Sequence, residues 1–261
     1  MILQTLALPI LAGLLGLVFG SLVVHLAEAS LAKRPLSTPR CPFCGSGLVP
    51  IQWSATFSLL TGQARCRECQ RFLRVPRLLG ELFLAVTWGL AVAKGGAQWR
   101  TLLVMATLIP QAMILVTDLE VKLVPNLIML PALAAMLVIG ALAGPALPSL
   151  TGWTWWQSLA GAAIGFAVFR ILVWIGVAVF GPGALGEGDI TLATYVGAVV
   201  GFPLVVESLV FAFALGGLGA FLVIVTRRGK MGTAIPYGPF IILGCALTQL
   251  WGVEILGWWV G

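Results

Sequence analysis

Apolar residues in this chain fall in long unbroken runs, not in the spaced pattern of a soluble helix. Runs of roughly 20 residues can cross a hydrocarbon core about 30 Å thick. They predict eight spans, near residues 3–27, 78–93, 101–117, 123–143, 155–180, 190–201, 203–225 and 238–260. A membrane barrel would show much shorter, alternating segments. The expected class is therefore all-α, a polytopic membrane protein of about eight transmembrane helices. The sixth run is odd. Ile190 to Gly201 is about 12 residues, roughly 18 Å, before Phe202-Pro203 breaks it. Either its end is buried among neighbouring helices, or the loop ahead of it dips below the membrane surface, which is tolerated where backbone lines a wet cavity. The first run, Leu3 to Leu26, has no basic stretch before it and reads as a retained helix, not a signal peptide.

Composition agrees. Hydrophobic residues make up 60% of the chain and charged residues only 9%, with a mean hydropathy of +1.06. The formal net charge of +6 concerns topology and not nucleic acid, because no basic segment carries the interleaved aromatics of a nucleic-acid platform. Eight of the 15 basic residues lie between the first two spans: Lys33, Arg34, Arg40, Arg65, Arg67, Arg71, Arg74 and Arg77. The positive-inside rule puts that segment in the cytoplasm and the N-terminus outside. Alternating the remaining spans brings Lys122, Arg227, Arg228 and Lys230 inside as well. Lys94 and Arg100 fall outside, and Arg170 lies within the fifth span. On this topology Trp153, Trp155, Trp156, Trp258 and Trp259 sit at outer ends, as interfacial aromatics do. Gly161, Gly165 and the cluster Gly216, Gly217 and Gly219 read as small-residue packing surfaces.

The first cytoplasmic segment contains Cys41-Pro-Phe-Cys44 and Cys66-Arg-Glu-Cys69, with 21 residues between the pairs. Zinc takes four tetrahedral thiolates, and two cysteines separated by two residues grip it from one tight turn. Gly45 suits that turn. A reducing compartment disfavours the disulfide alternative, so Cys41, Cys44, Cys66 and Cys69 are expected to hold one structural zinc. Cys245, inside an apolar run, reads as a core thiol.

Two carboxylates stand at the edges of apolar stretches: Asp118, after Thr117 and ahead of Val124-Pro125-Asn126, and Asp189 in Gly186-Glu187-Gly188-Asp189. An ionisable residue at membrane depth is expensive and marks a functional site by default. The topology puts both at the cytoplasmic face. Each could instead serve only as a helix cap, although the two together point to an intramembrane aspartyl protease. Glu187 reads as a solvated loop residue, His25 as an interfacial side chain, and Arg170 as a partner for Glu207 or a snorkelling cation.

These features together resemble the type IV prepilin peptidases. Gly186 to Ala193 with Gly197 and Gly201 match that family's second aspartate motif, and Asp118 through Pro125-Asn126 match the first. Ile235-Pro-Tyr-Gly-Pro-Phe240 and Gly244 resemble the motif before its last helix. Leu59-Leu60, Gly62, Arg65-Cys66-Arg67 and Cys69 follow its cytoplasmic segment, and Glu81 the entry to its second helix. Thr191 stands where the family usually has Lys, and Gly20-Ser21-Leu22-Val23-Val24-His25 matches its first-helix motif only in part. The resemblance implies a domain plan of a first helix (1–27), a cytoplasmic zinc-binding, methyltransferase-like domain (28–77) and a transmembrane peptidase domain (78–261). It implies Asp118 and Asp189 as catalytic residues, with Gly186, Gly188, Pro125, Pro236 and Gly238 supporting the substrate loops. The implied activity is cleavage of basic leaders from prepilins or pseudopilins in the bacterial cytoplasmic membrane. N-methylation by S-adenosylmethionine would be a companion activity, for which the chain shows no glycine-rich dinucleotide fingerprint. Membrane lipid is the expected surrounding, and nucleic acid is not an expected partner. Two readings from other classes are an ion-coupled transporter, which would place carboxylates near the bilayer midplane between inverted repeats, and a non-catalytic assembly scaffold.

Overall fold

A computed structural model of the chain describes residues 2–32, 38–41, 43–72, 75–143, 155–181, 186–226 and 236–260. Lys33, Arg34, Arg74, Trp153, Arg227, Arg228, Lys230 and Ile235, used in the topology and motif readings, lie outside these residues. Among the described residues the protein is all-helical, with two isolated β-bridges and no strand. The helices are α1 (Ile2–Ala32), α2 (Ala55–Leu60), α3 (Val75–Gly95), α4 (Trp99–Val121), α5 (Asn126–Ala143), α6 (Trp155–Phe180), α7 (Glu187–Val200), α8 (Leu204–Val225) and α9 (Gly238–Val260), with a short 3₁₀ turn at Pro50–Gln52. Six of them are long and apolar enough to cross a membrane; α5 is apolar but shorter. The chain is therefore a multi-pass membrane protein. It divides into two compact units, Met1–Val121 and Lys122–Gly261.

In the first unit α1 and α3 run antiparallel at close range. Gly13, Gly16 and Gly20 line one face of α1 and lie against the α3 backbone at Ala85, Leu84 and Glu81. Any side chain at Gly16 would meet backbone atoms within 2.6–2.9 Å, so small residues permit the contact. Both helices outrun the apolar runs that announced them. The extension brings Glu28 of α1 onto Arg77 in the first turn of α3, in a bidentate ion pair. Arg77, counted above among loop charges, is thus a buried helical residue, 2% exposed. α4 joins α3 partly through the Trp88 indole, which donates to the Met105 carbonyl at 3.1 Å.

In the second unit α6 and α7 are antiparallel, with Gly161 facing Gly197 and Gly165 facing Ala193. A Cβ on Gly197 would lie 2.1 Å from the Gly161 carbonyl oxygen, and neither backbone can retreat without separating the helices. Gly197→Ala should lower stability by about 1–3 kcal/mol, read as an earlier thermal unfolding in detergent. Gly244 of α9 makes the same kind of approach to Ser208 and Ala212 of α8. Gly216 packs on the Tyr237 ring and Gly219 on the Phe240 ring, whereas Gly217 faces open space and takes no part in packing. Trp155, Trp156, Trp258 and Trp259 are exposed at the start of α6 and the end of α9, the same end of this unit.

The short helix α7 accounts for the odd sixth run. Ten of its 14 residues are buried, from Asp189 to Val200, so it is held by protein and not by lipid. Its register on α6 also places its first turn beside residues 169–171, while α6 continues to Phe180. At 1.5 Å per residue α7 begins about 14 Å short of the end of α6. The first alternative raised by its length is therefore realised, because the helix is enclosed by protein, and the Gly-Glu-Gly-Asp turn is set back from the end of α6.

Candidate functional site

The four cysteines form two matching knuckles. In each, the residue after the second cysteine is left-handed, Gly45 at φ 74° and Gln70 at φ 57°. Its N–H returns to the carbonyl of the first cysteine, Gly45 to Cys41 at 2.9 Å and Gln70 to Cys66 at 3.0 Å. The next pair of hydrogen bonds repeats too, Cys41 N–H to Ser46 and Cys66 N–H to Arg71. Antiparallel bridges close the two turns, at Arg40 with Gly47 and at Arg65 with Phe72. The turns converge so that all four Sγ atoms lie within 4.8 Å of one another. Sγ separations of 3.7 Å, Cys41 to Cys69 and Cys44 to Cys66, match the edge of about 3.8 Å of a tetrahedron with Zn–S bonds of about 2.3 Å. The cluster could therefore bind zinc.

The local electrostatics favour thiolate at some positions and oppose it at others. The backbone N–H of Cys69, with the Ser46 hydroxyl, pulls the Cys66 thiol down to about 6. Hydrogen bonds from the Ser46 side chain and backbone lower Cys44. At Cys69 the Arg71 N–H also pulls down, but burial and the three neighbouring sulfurs outweigh it and push the thiol up to about 11. Four thiolates this close need a cation between them. Apart from the cysteines themselves, Leu48 is the apolar residue buried in this small core, so packing alone supplies little fold energy here.

Glu81 ties the segment to the helices. Fully buried in α3, its carboxylate accepts from the Ser54 hydroxyl at 2.7 Å and from the N–H groups of Ala55 and Thr56 at 2.7 and 2.8 Å. It thus caps α2, whose N-terminus favours negative charge. His25 adds a second tether, its Nε2 lying 2.9 Å from the Trp53 carbonyl. Replacing Glu81 by Gln leaves one acceptor and aims an amide at donors. Glu81→Gln should destabilise the first unit by about 1.5–3 kcal/mol, measurable by denaturation in detergent.

Asp118 and Asp189 belong to different units. Asp118 lies in the last turn of α4, 4% exposed. The apolar run stopped one residue before it, yet the helix continues to Val121 and ends where Lys122 turns left-handed at φ 54°. Asp189 is the third residue of α7 and 9% exposed. It is not the cap residue. Gly186 holds that position, and the Asp189 carboxylate reaches back to accept from the Gly186 N–H at 3.1 Å. Gly188 fits against Val124, with only 2.7 Å from its ideal Cβ position to the Val124 Cβ. The stretch Val124-Pro125 thus packs on the Gly-Glu-Gly-Asp turn, and the Pro125 carbonyl starts α5 by accepting from Ile128 and Met129.

Tyr237 is the residue that motif reading passed over. Its carbonyl starts α9, accepting from Phe240 and Ile241, directly between Pro236 and Gly238. Its ring contacts Phe169, Phe213 and Phe240, its hydroxyl donates to the Ala212 carbonyl at 3.3 Å, and burial, with the Asp189 charge adding to it, pushes its phenol up to about 12. The Pro-Tyr-Gly sequence was the available signal. Arg170 pairs with Glu187 at 3.3 Å and not with Glu207, and Glu187 opens α7 as a helical residue.

The sequence matches two family models: the bacterial peptidase A24 N-terminal domain over residues 14–94, which takes in all four cysteines, and the type IV leader peptidase family over residues 102–224, which takes in both aspartates. The chain belongs to the type IV leader peptidase family. Relatives named prepilin leader peptidase/N-methyltransferase include one from Bacillus subtilis (strain 168), 26% identical and covering 94% of this chain and 95% of its own. Others are from Aeromonas hydrophila, 29% identical over 86% and 76%, and Myxococcus xanthus (strain DK1622), 32% identical over 82% and 63%. No solved structure matches the chain.

Proposed function

We propose that this protein is a membrane aspartyl endopeptidase that removes basic leaders from type IV prepilins or pseudopilins, with Asp118 and Asp189 as its catalytic pair. The observation that carries the reading is the setting of Asp189: a buried carboxylate on the recessed first turn of α7, inside the span matched by the peptidase model. Asp118 is a second buried carboxylate in that span, and the Val124-Pro125 stretch that follows it packs on Gly188.

Two close carboxylates cannot both ionise readily, so they share one proton. The ionised partner takes a proton from a water that attacks the scissile carbonyl, and the protonated partner polarises that carbonyl. Asp189 suits the ionised role, because the Gly186 N–H and the positive end of α7 both stabilise a carboxylate. Asp118, near the negative end of α4, suits the protonated role. Such dipole effects are at most about 2 kcal/mol, so the pair titrates as one unit. The recessed turn accounts for a cut at the membrane boundary of a substrate whose leader is in the cytoplasm and whose apolar helix is in the bilayer.

The topology proposed with this function has the N-terminus outside and the four-cysteine segment and both aspartates on the cytoplasmic side of the bacterial inner membrane, as the basic residues favour. Cys41, Cys44, Cys66 and Cys69 hold one structural zinc, which organises that segment. N-methylation of the new terminus, the second activity in the relatives' names, would need S-adenosylmethionine as methyl donor. Purified protein in lipid vesicles, given a prepilin with a basic leader and methyl-labelled S-adenosylmethionine, tests both steps. Leader loss with label transfer supports a two-step enzyme, leader loss alone a peptidase, and an intact prepilin refutes the assignment.

A further inference from the structure

Two charged residues serve neither the aspartates nor the zinc segment, and they meet. Arg170, in the middle of α6, and Glu187, the first residue of α7, form an ion pair on the rim of a cavity of about 380 Å³. The remaining lining is apolar: Ile171, Val173, Trp174 and Val177. An isolated pair this exposed, 58% and 81%, adds little stability. Trp174 is one helical turn beyond Arg170 and on the same face, and it is 75% exposed. A carboxylate and an open indole bordering one cavity make a receptor for a cation, by charge and by the face of the ring. Arg170 already pairs with the carboxylate from within the chain.

Building on the peptidase reading above, we propose that Glu187 and Trp174 form the subsite that recognises a lysine or arginine of the leader close to the cut, and that Arg170 occupies it as an internal competitor. Position supports this. Glu187 is two residues from Asp189, about 200° around the helix, so it borders the aspartate's turn without sharing its face. An extended leader advances about 3.3 Å per residue, so a basic residue a few positions before the scissile bond can reach Glu187 while that bond lies at Asp189. The segment of α6 beyond Arg170, exposed at Trp174 and Val177, flanks the path the leader takes away from the recessed turn. When the leader's cation takes Glu187, Arg170 gives up a partner it holds only at the protein's surface, since it is already more than half exposed. One ion pair exchanges for another, and no bond is made or broken.

The two halves of the pair then have opposite effects, which a purely structural pair would not show. The test uses the full-length protein in phosphatidylcholine vesicles, whose neutral surface does not attract the leader. Two synthetic prepilins would carry either lysine or glutamine at the last basic position of the leader. Wild type should prefer lysine about three- to fivefold in kcat/KM, as expected for a partly solvated ion pair, with the difference in KM. Glu187→Gln should bring the ratio close to one, Glu187→Lys should turn it in favour of the glutamine leader, and Arg170→Gln should widen it beyond wild type. A preference that survives Glu187→Gln, or that both neutral variants lower alike, overturns the subsite. Equal cleavage of the two prepilins by wild type also overturns it and leaves the peptidase assignment standing. Cleavage of neither refutes both.

Discussion

Asp189→Asn is expected to lower leader cleavage by roughly 10³-fold or more, within the range for losing a general acid or base, while the protein inserts and unfolds much as wild type does. Asparagine is nearly isosteric and can still accept from the Gly186 N–H, so the turn and α7 survive. What it cannot do is carry the negative charge that takes a proton from water. Asp118→Asn should cause a loss of the same order for the complementary reason: its amide cannot exchange the shared proton. In the proposed dyad the two act as a unit, so the double variant should be little worse than either single one. Cleavage assays on detergent-purified variants, paired with thermal unfolding curves, separate chemistry from folding. Near-wild-type turnover in either single variant would remove that residue from the dyad, and a large additional loss in the double variant would show that they act independently.

Removing zinc is expected to unfold residues 38–72 and leave the transmembrane helices in place. Binding energies for structural zinc are about 10–16 kcal/mol in small zinc-dependent folds, far more than the packing of Leu48 against three cysteines can replace. Cys66→Ser should have the same effect as chelation, because it removes one corner of the tetrahedron and a thiol already drawn toward thiolate by Cys69 and Ser46. The contacts made by the Glu81 carboxylate should loosen with α2, whereas the Glu28 pair with Arg77 joins α1 to α3 directly and should persist. Elemental analysis should give about one zinc per chain, and limited proteolysis should cut chelated protein within 38–72. Metal-free protein that resists proteolysis as well as untreated protein would contradict this.

Features that depend on residues near in sequence were legible before the structure. Apolar runs located eight helices within a few residues, and the paired Cys-x-x-Cys spacing announced two knuckles that do converge. Run length singled out α7, although hydropathy could not choose between an enclosed helix and a recessed loop; the burial of ten of its 14 residues shows the enclosed helix. Helix ends were less legible, because a helix continues through polar residues when a partner awaits them. Glu28 and Arg77 extend α1 and α3 for this reason, and Asp118 falls inside α4 instead of after it. Partners distant in sequence were the least legible. For Arg170 charge offered Glu207 or snorkelling, yet Glu207 lies in the first turn of α8, past the far end of α7, whereas Glu187 lies level with the arginine. Glu81 showed as a motif position, but its role in capping α2 depends on a segment some 25 residues earlier in the chain, at Ser54 to Thr56.

The most direct test of the peptidase assignment is mass spectrometry of a prepilin co-expressed with this protein in cells lacking any other leader peptidase. With wild type, the account predicts a pilin shortened by its whole basic leader and beginning at the apolar segment. With Asp189→Asn in place of wild type, the prepilin should keep its full mass. An intact prepilin beside well-expressed wild-type protein, or a shortened one beside Asp189→Asn, would contradict the account.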